Sequence, residues 1–318
     1  MRTPPPPVLV DTADPDEAAA LLGSSYCPHR VHVDGSARDF RAVQTELMVS
    51  DIAIHTLRYG TDVRIDPAPL GAWVLVSTPL RGKLTIRSGA ESRTLGPGES
   101  VAIDSYRPFD LGWRQDCQLR TLRLPLATVT EAVQLAGLDT ADPVRFGLDA
   151  PATPGSSRSW HSVVALAERD ARMGGELTRS PLLSGQMSRM IAAALVATHP
   201  VQASRDDDGP AVPRQIRRAV ELVERSAHED LTVTQLAATA GIGVRALQQG
   251  FREHLQMSPT EFLRHTRLDR AHRQLLREDP TTATVAEIAH SWGFGNLGRF
   301  SQLYRHRYGR LPSQTLRD

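Results

Sequence analysis

The 318-residue sequence predicts an α+β chain of several domains: an N-terminal antiparallel β-barrel, a helical region, and an all-α C-terminal domain. Three observations predict it. Short runs of alternating apolar and polar residues, bounded by glycine and proline, fill the stretch from Glu46 to Leu126. Apolar residues recur at helical spacing between 157 and 199. The last hundred or so residues spell out one helical unit twice, with its caps, turns and spacing repeated.

Residues 1–39 read as an N-terminal arm. Their start, MRTPPPPVLVDTADPDEAAALLG, has no apolar segment behind a basic one, and no later stretch approaches about 18 uninterrupted apolar residues. This predicts a chain neither secreted nor embedded in a membrane, located in the cytoplasm. Cys27 and Cys117 stand in no metal-binding or redox spacing, which predicts reduced thiols without a role.

Residues 40–150 supply the barrel, with DIAIHTLRY, WVLVSTPL, KLTIRSG, SVAIDSY and CQLRTLRLPL as strands. GKLTIR from Gly82, followed by LGPGESVAI from Leu95, resembles a cupin-type barrel in which a Pro-Gly turn leads into a strand. Many cupins hold a metal with an H-x-H pair, a carboxylate and a later histidine. Gly89 to Tyr106 contains no histidine, His29 and His32 are three apart near the start, and His55 is alone on its strand. No G-x-S-x-G, P-loop, H-E-x-x-H or Rossmann fingerprint occurs either. No metal, no cofactor and no catalysis are therefore expected. A small antiparallel barrel can still enclose one ligand. His55, Arg58, Trp73 and Trp113 are the candidate effector-binding residues, because they offer stacking surfaces and charge; core packing and surface solvation explain each of them equally well.

Residues 151–199 read as helices broken at Gly174-Gly175. Leu183, Met187, Met190, Ile191, Ala194 and Leu195 form a stripe that something must cover, either a second copy, with Met187 and Ile191 central to the pairing, or the chain's own barrel. The polar run of residues 200–213 then serves as a linker.

Charge changes sign at this linker. Residues 1–209 carry 21 basic and 25 acidic side chains, whereas residues 210–318 carry 16 and 11. All 16 of those cations are arginine, whose planar fork suits phosphates and guanine edges. Within residues 214–318, the repeat aligns Thr232 with Thr284, Ala237 with Ala289, Gly241 with Gly293 and Ile242 with Phe294. One residue further apart, Leu247 aligns with Phe300, Phe251 with Tyr304, Arg252 with Arg305 and Pro259 with Pro312. Each copy is a capped helix, a glycine turn and a second helix held down by an apolar residue every fourth position, which is a helix-turn-helix. The second helix leaves one face free: Val244, Arg245, Gln248, Gln249 and Arg252 in the first copy, and Asn296, Arg299, Gln302, Arg305 and His306 in the second. These groups suit a DNA major groove, although polar outer faces also occur on helical bundles that bind nothing. PTEFLRHTRLDRAHRQLL, from Pro259 to Leu276, reads as the helix joining the two copies.

The run LTVTQLAATAGIGVRALQQGFREHLQMSPTEFLRHTRLDRAHRQLL and the later VAEIAHSWGFGNLGRFSQLYRHRYGRLPSQTL together resemble the double helix-turn-helix domain of the AraC/XylS family of bacterial transcription regulators. The resemblance implies a cytoplasmic, nucleoid-associated transcriptional activator, with a cupin-like sensor domain at 40–150, a dimerisation region at 151–199 and a DNA-binding domain at 214–318. Its implied partners are double-stranded operator DNA, RNA polymerase, a small-molecule effector and a second copy of itself. Arg245, Gln248 and Gln249 would read bases in the first groove segment, Asn296, Arg299 and Gln302 in the second, and Arg252 and Arg305 would hold phosphates. Gly243 and Gly295 depart from the serine frequent at the start of the recognition helix, and Gln256 from the usual glycine after the first one. A constitutive DNA binder and a cupin-like enzyme fused to a DNA-binding domain are the alternative readings.

Overall fold

A computed structural model describes residues 6–105, 107–138, 144–148, 154–202 and 212–317. Residues 203–211, most of the expected linker, lie outside them. The chain divides into a β-rich unit of Met1–Ala20 with His29–Ala211, and a helical unit of Val212–Asp318 to which Leu21–Pro28 also belongs. None of the described helices is long and apolar enough to cross a membrane.

The chain opens with β1 (Val8–Thr12), α1 (Pro15–Ser25), whose last residues from Leu21 belong to the helical unit, and β2 (His29–Val33), so the expected arm contributes two strands and a helix. The strands β3 (Ala42–Val49), β4 (Ile52–Arg58), β5 (Val63–Pro67), β6 (Trp73–Arg81), β7 (Leu84–Ser88), β8 (Glu91–Leu95), β9 (Val101–Ile103), β10 (Asp110–Trp113) and β11 (Gln118–Pro125) follow. They form two antiparallel sheets, ordered β1-β3-β4-β11-β6-β9 and β2-β5-β10-β7-β8. Side chains alternate between the faces of a strand, so β11 sends Leu119, Thr121 and Arg123 to one side, and Arg120, Leu122 and Leu124 to the other. All six are buried, as befits a central strand covered on both faces. Gly96-Pro97-Gly98 forms the turn that leads toward β9.

Behind the larger sheet lie α2 (Leu126–Leu135), α3 (Pro154–Met173), α4 (Glu176–Arg179) and α5 (Pro181–Thr198), with β12 (Arg145–Phe146) paired to β13 (Val201–Gln202). Polar contacts fix these helices to the strands. Arg120 donates to Glu168 at 3.4 Å and to His161 Nδ1 at 3.2 Å, and His161 Nε2 donates to the Gly98 carbonyl at 2.7 Å. Asp51, at the tip of the β3–β4 hairpin, accepts from Ser188 on α5 at 2.6 Å. Met187 and Ile191 are buried within this unit, which corrects their expected place on a pairing surface: their azimuth on α5 turns them inward. The outward stripe is Leu183, Met190, Ala193 and Ala197.

His199 closes α5. Thr198 Oγ1 donates to the Ala194 carbonyl at 2.6 Å, so it must accept from His199 Nδ1–H at 2.9 Å, leaving Nε2 to accept from Ser100 at 2.9 Å. The imidazole is held neutral, and burial lowers its pKa to about 4. Neither cysteine forms a disulfide and both are buried, and burial pushes their thiols up to about 12.

The helical unit comprises α6 (Arg214–Ser226), α7 (Val233–Ala240), α8 (Val244–Leu255), α9 (Pro259–Leu275), α10 (Val285–Ser291), α11 (Leu297–Tyr308) and α12 (Pro312–Arg317). Thr232 with Gln235, Ser258 with Glu261, and Thr284 with Glu287 form complete capping boxes at the starts of α7, α9 and α10. Gly241 and Gly293 take φ of 70° and 76° at matching points of the two turns, in the left-handed region that glycine enters without a Cβ clash. The expected repeat is thus a repeat of structure.

A folded-state pKa near 4, against 6.5 for a free histidine, means that the unfolded chain takes up the His199 proton first as pH falls. The contribution is fully present above pH 6.5 and is lost between about 6.5 and 4, amounting to roughly 3 kcal/mol. Denaturant titrations from pH 7 to pH 4 should show this slope for the β-rich unit, and His199→Gln should flatten it.

Candidate nucleic-acid interface

The interface begins with α9, which carries buried polar side chains along a helix expected only to space its neighbours. Asp269 accepts from Arg307 at 2.9 and 3.0 Å and from the Tyr308 hydroxyl at 2.6 Å, both residues lying at the end of α11. Burial opposes the charge on Arg307, but Asp269 and Tyr308 together more than offset this and raise its pKa; burial and the same carboxylate raise that of Tyr308. Tyr304 donates to Thr315 at 2.9 Å and contacts His272 Nδ1, while the His272 ring stacks on Tyr308 at 4.1 Å. Arg267 donates to the carbonyls of Ala227 and Glu229 at 2.8 and 2.7 Å. Its guanidinium also lies against Gly293, where a Cβ would stand 3.0 Å from it. One helix therefore grips α11, the turn before it and the end of α6. Sequence reasoning missed Arg267, Asp269, His272 and Arg307 because polar side chains are expected at the surface; the available signal was Asp269 and His272, one turn apart on the helix face that also carries Leu268 and Leu275.

On α8, Leu247, Gly250, Phe251 and Leu255 turn inward, and Val244, Arg245, Gln248, Gln249 and Arg252 are exposed as expected. The last four line one shallow depression with Glu253, which accepts from Gln249 at 2.7 Å. Gly250 permits close packing on α6, since a Cβ there would meet Ile216 Cδ1 at 2.4 Å. On α11, Phe300, Tyr304 and Tyr308 turn inward, and Arg299, Gln302, Arg305 and His306 are exposed.

The two recognition helices start differently. Gly243 is the N-cap of α8 and supplies no side chain, while Asn296, not Gly295, caps α11, its Oδ1 accepting from Arg299 N–H at 2.8 Å. That oxygen is thereby committed, leaving Asn296 only its amide donor for any base. Gln256 takes the left-handed conformation at φ 56° after α8, where Gly309 stands after α11 at φ 68°.

The expected effector residues separate in the barrel. Glu46, His55, Thr121 and Ser77 lie directly opposite one another across β3, β4, β11 and β6. His55 Nε2 donates to Glu46 at 2.9 Å, and burial lowers the histidine's pKa. On the same face Arg123 stacks over Trp73 at 4.3 Å. This face is turned away from α3, because Arg120, which meets α3, alternates with Thr121 and Arg123. His55 and Trp73 therefore share an inward polar surface. Arg58 does not: three residues from His55 on one strand, it points to the other face and is exposed. Trp113 packs edge-on against Tyr59 and donates its N–H to the Cys117 carbonyl at 3.1 Å, a core role that leaves no donor for a ligand. Arg123, Glu46, Thr121 and Ser77 were missed, since isolated polar residues in a strand carry no spacing signal.

Residues 18–196 match the AraC-binding-like domain family, and residues 236–318 match the helix-turn-helix domain family. The chain is 32% identical over 311 residues to the probable thc operon regulatory protein of Rhodococcus erythropolis, covering 96% of this chain and 93% of that one. It is 25% identical over 265 residues to XylDLEGF operon transcriptional activator 1 of Pseudomonas putida, covering 82% and 80%. Its fold is similar to that of the AraC-like transcriptional activator CuxR, with a TM-score of 0.52 at 18% identity, over 88% of this chain and 94% of that one.

A non-glycine residue in the left-handed region costs about 1 kcal/mol or more. Gln256→Gly should accordingly stabilise the helical unit by roughly 1 kcal/mol, read as a higher denaturant midpoint with an unchanged slope.

Proposed function

The chain belongs to the AraC/XylS family of DNA-binding transcriptional regulators, and from that premise we propose an effector-responsive activator that reads two successive major-groove segments of one asymmetric site. The observation carrying this reading is the pair of exposed, polar, cationic faces on α8 and α11, both held through contacts with α9. Recognition helices tied to one connecting helix suit groove segments about one DNA turn, roughly 34 Å, apart. In this reading Arg245, Gln248 and Gln249 contact bases in one segment, Arg299 and Gln302 in the next, and Asn296 assists through its amide donor. Arg252 and Arg305 neutralise phosphates.

The effector site is assigned to the inward barrel face of His55, Glu46, Thr121 and Ser77, with Trp73 and Arg123 beside it; Arg58 and Trp113 are given no part. The strands of the first 39 residues belong to this sensor together with residues 40–150. The word activator in the Pseudomonas putida relative's name supports recruitment of RNA polymerase rather than repression. The chain is assigned to the cytoplasm, at the nucleoid when DNA-bound, and no catalytic role is given to it.

Pairing is assigned to the groove between α2 and α5, which exposes Leu135 (78%), Leu138 (45%) and Met190 (39%) beside Ala193 and Ala197. Glu131 and Arg189 border the groove, so in a two-fold pair each copy's Glu131 can meet the other's Arg189. Met190→Asp should make the full-length protein monomeric in sedimentation without unfolding it, whereas Met187→Asp should unfold the β-rich unit. A dimer that survives Met190→Asp refutes the groove.

Base reading and phosphate contact separate by mutation. Arg245→Ala should cost about 1–3 kcal/mol on the operator and little on random DNA, while Arg305→Ala should weaken both and lower the salt dependence by about one unit. Binding titrations on both duplexes at several salt concentrations check this. Equal losses for Arg245→Ala on the two DNAs would remove it from the base readers.

A further inference from the structure

Among the described residues of the helical unit, four large aliphatic side chains are exposed: Val244, Leu276, Leu297 and Leu311. Two of these occupy the same place in the repeat. Val244 follows the N-cap Gly243 and opens α8; Leu297 follows the N-cap Asn296 and opens α11, at the same 53-residue offset that relates Phe251 to Tyr304. Their exposures agree as well, 36% and 37%. Exposed aliphatic side chains scattered singly need no explanation, but two at one repeat position share a cause.

Position decides what that cause is. In a helix-turn-helix the first turn of the recognition helix comes closest to the base edges. On α11 the start of this turn, before Arg299, has little polar chemistry to offer: the Asn296 carboxamide oxygen is engaged in the cap, Leu297 is apolar and Gly298 has no side chain. The surroundings are bare. A Cβ on Gly243 or Gly295 would meet nothing within 4 Å, and one on Gly298 would meet only Asn296 Oδ1, at 3.4 Å. The backbone can therefore approach the groove floor and bring the aliphatic group into contact. On that floor the one apolar group that distinguishes bases is the C5-methyl of thymine.

We propose that Val244 and Leu297 are a matched pair of specificity residues, each packing on a thymine methyl in its own groove segment. The polar readers Arg245, Gln248, Gln249, Arg299 and Gln302 then specify the neighbouring base pairs. The assignment rests on the DNA-reading function given above, and deepens it by naming the base and the chemical group read.

The test uses the full-length protein and the operator located by genome-wide mapping of its bound sites. Each thymine is replaced in turn by deoxyuridine, which removes the methyl group and leaves every hydrogen-bonding edge intact. One replacement in each groove segment should lower affinity about fourfold, the worth of burying one methyl-sized group. Val244→Ala should abolish that sensitivity in the first segment alone, and Leu297→Ala in the second alone. The proposal is overturned if no replacement weakens binding, or if the alanine variants stay as sensitive as the parent. A silent deoxyuridine series alongside a specific loss in Arg245→Ala would overturn methyl reading and leave base reading intact. Equal affinity of the parent for operator and random DNA would overturn both.

Discussion

The helical unit depends on the Asp269 carboxylate. It is buried on α9 and takes hydrogen bonds from Arg307 and Tyr308 on α11. Removing one partner of such a pair leaves an uncompensated buried charge, which is far costlier than the pair's net worth. The geometry is therefore enforced by the penalty for departing from it. Tyr304 and His272 extend the same constraint one turn further along both helices. A recognition helix anchored only by apolar contacts can rotate about its axis at small cost, whereas directional bonds from two successive residues resist that rotation. The base reading proposed for Gln302 would need such resistance, because a turn of a few tens of degrees would exchange it for a neighbour.

The two recognition helices are held by different means. Where α11 has the Asp269 cluster, an asparagine cap and Gly309, α8 has a bare glycine cap, a strained Gln256 and mainly apolar packing, with Gly250 drawn against Ile216 on α6. Similar polar faces are thus presented from supports of unequal rigidity. In the proposed two-segment reading, the less constrained first helix would adjust to its groove segment after the second has docked, and the stiffer half would set the register for the whole site.

Much of the helical unit was legible because its signals are periodic. The capping boxes of α7 and α10, the turn glycines and the four-residue apolar spacing each recur at matching points of the two copies, and the structure places them as the repeat implies. The strands were legible for the same reason, since alternation declares itself. What escaped was chemistry without a period. Asp269 and Arg307 are 38 residues apart, and neither resembles a core residue until the fold joins them. Glu46, His55, Thr121 and Ser77 come from four strands whose register no local pattern specifies. Asn296 was legible as a polar residue on the right face, yet its cap depends on where α11 begins, and helix boundaries are set by geometry finer than the pattern. On α5 the apolar stripe was read correctly as a stripe. It is wide enough to serve two surfaces, and only packing could divide Met187 and Ile191 from Leu183 and Met190.

In the β-rich unit the same strands serve two faces. β3 and β4 carry Glu46 and His55 toward the interior, and the tip of their hairpin holds Asp51, which takes a short hydrogen bond from Ser188 on α5. β11 carries Thr121 and Arg123 inward and Arg120 outward to Glu168 and His161 on α3. Strands cannot turn one face without turning the other, because alternate side chains share one backbone. In the proposed reading, a molecule that displaced Glu46, His55 or Arg123 would load the same strands that carry Asp51–Ser188 and the Arg120 bonds, and both of these end on the helices behind the sheet. The proposed coupling from the barrel interior to the α2–α5 groove would need no mobile lid. It would run through a polar interior and a polar helix contact that occupy successive residues of one strand.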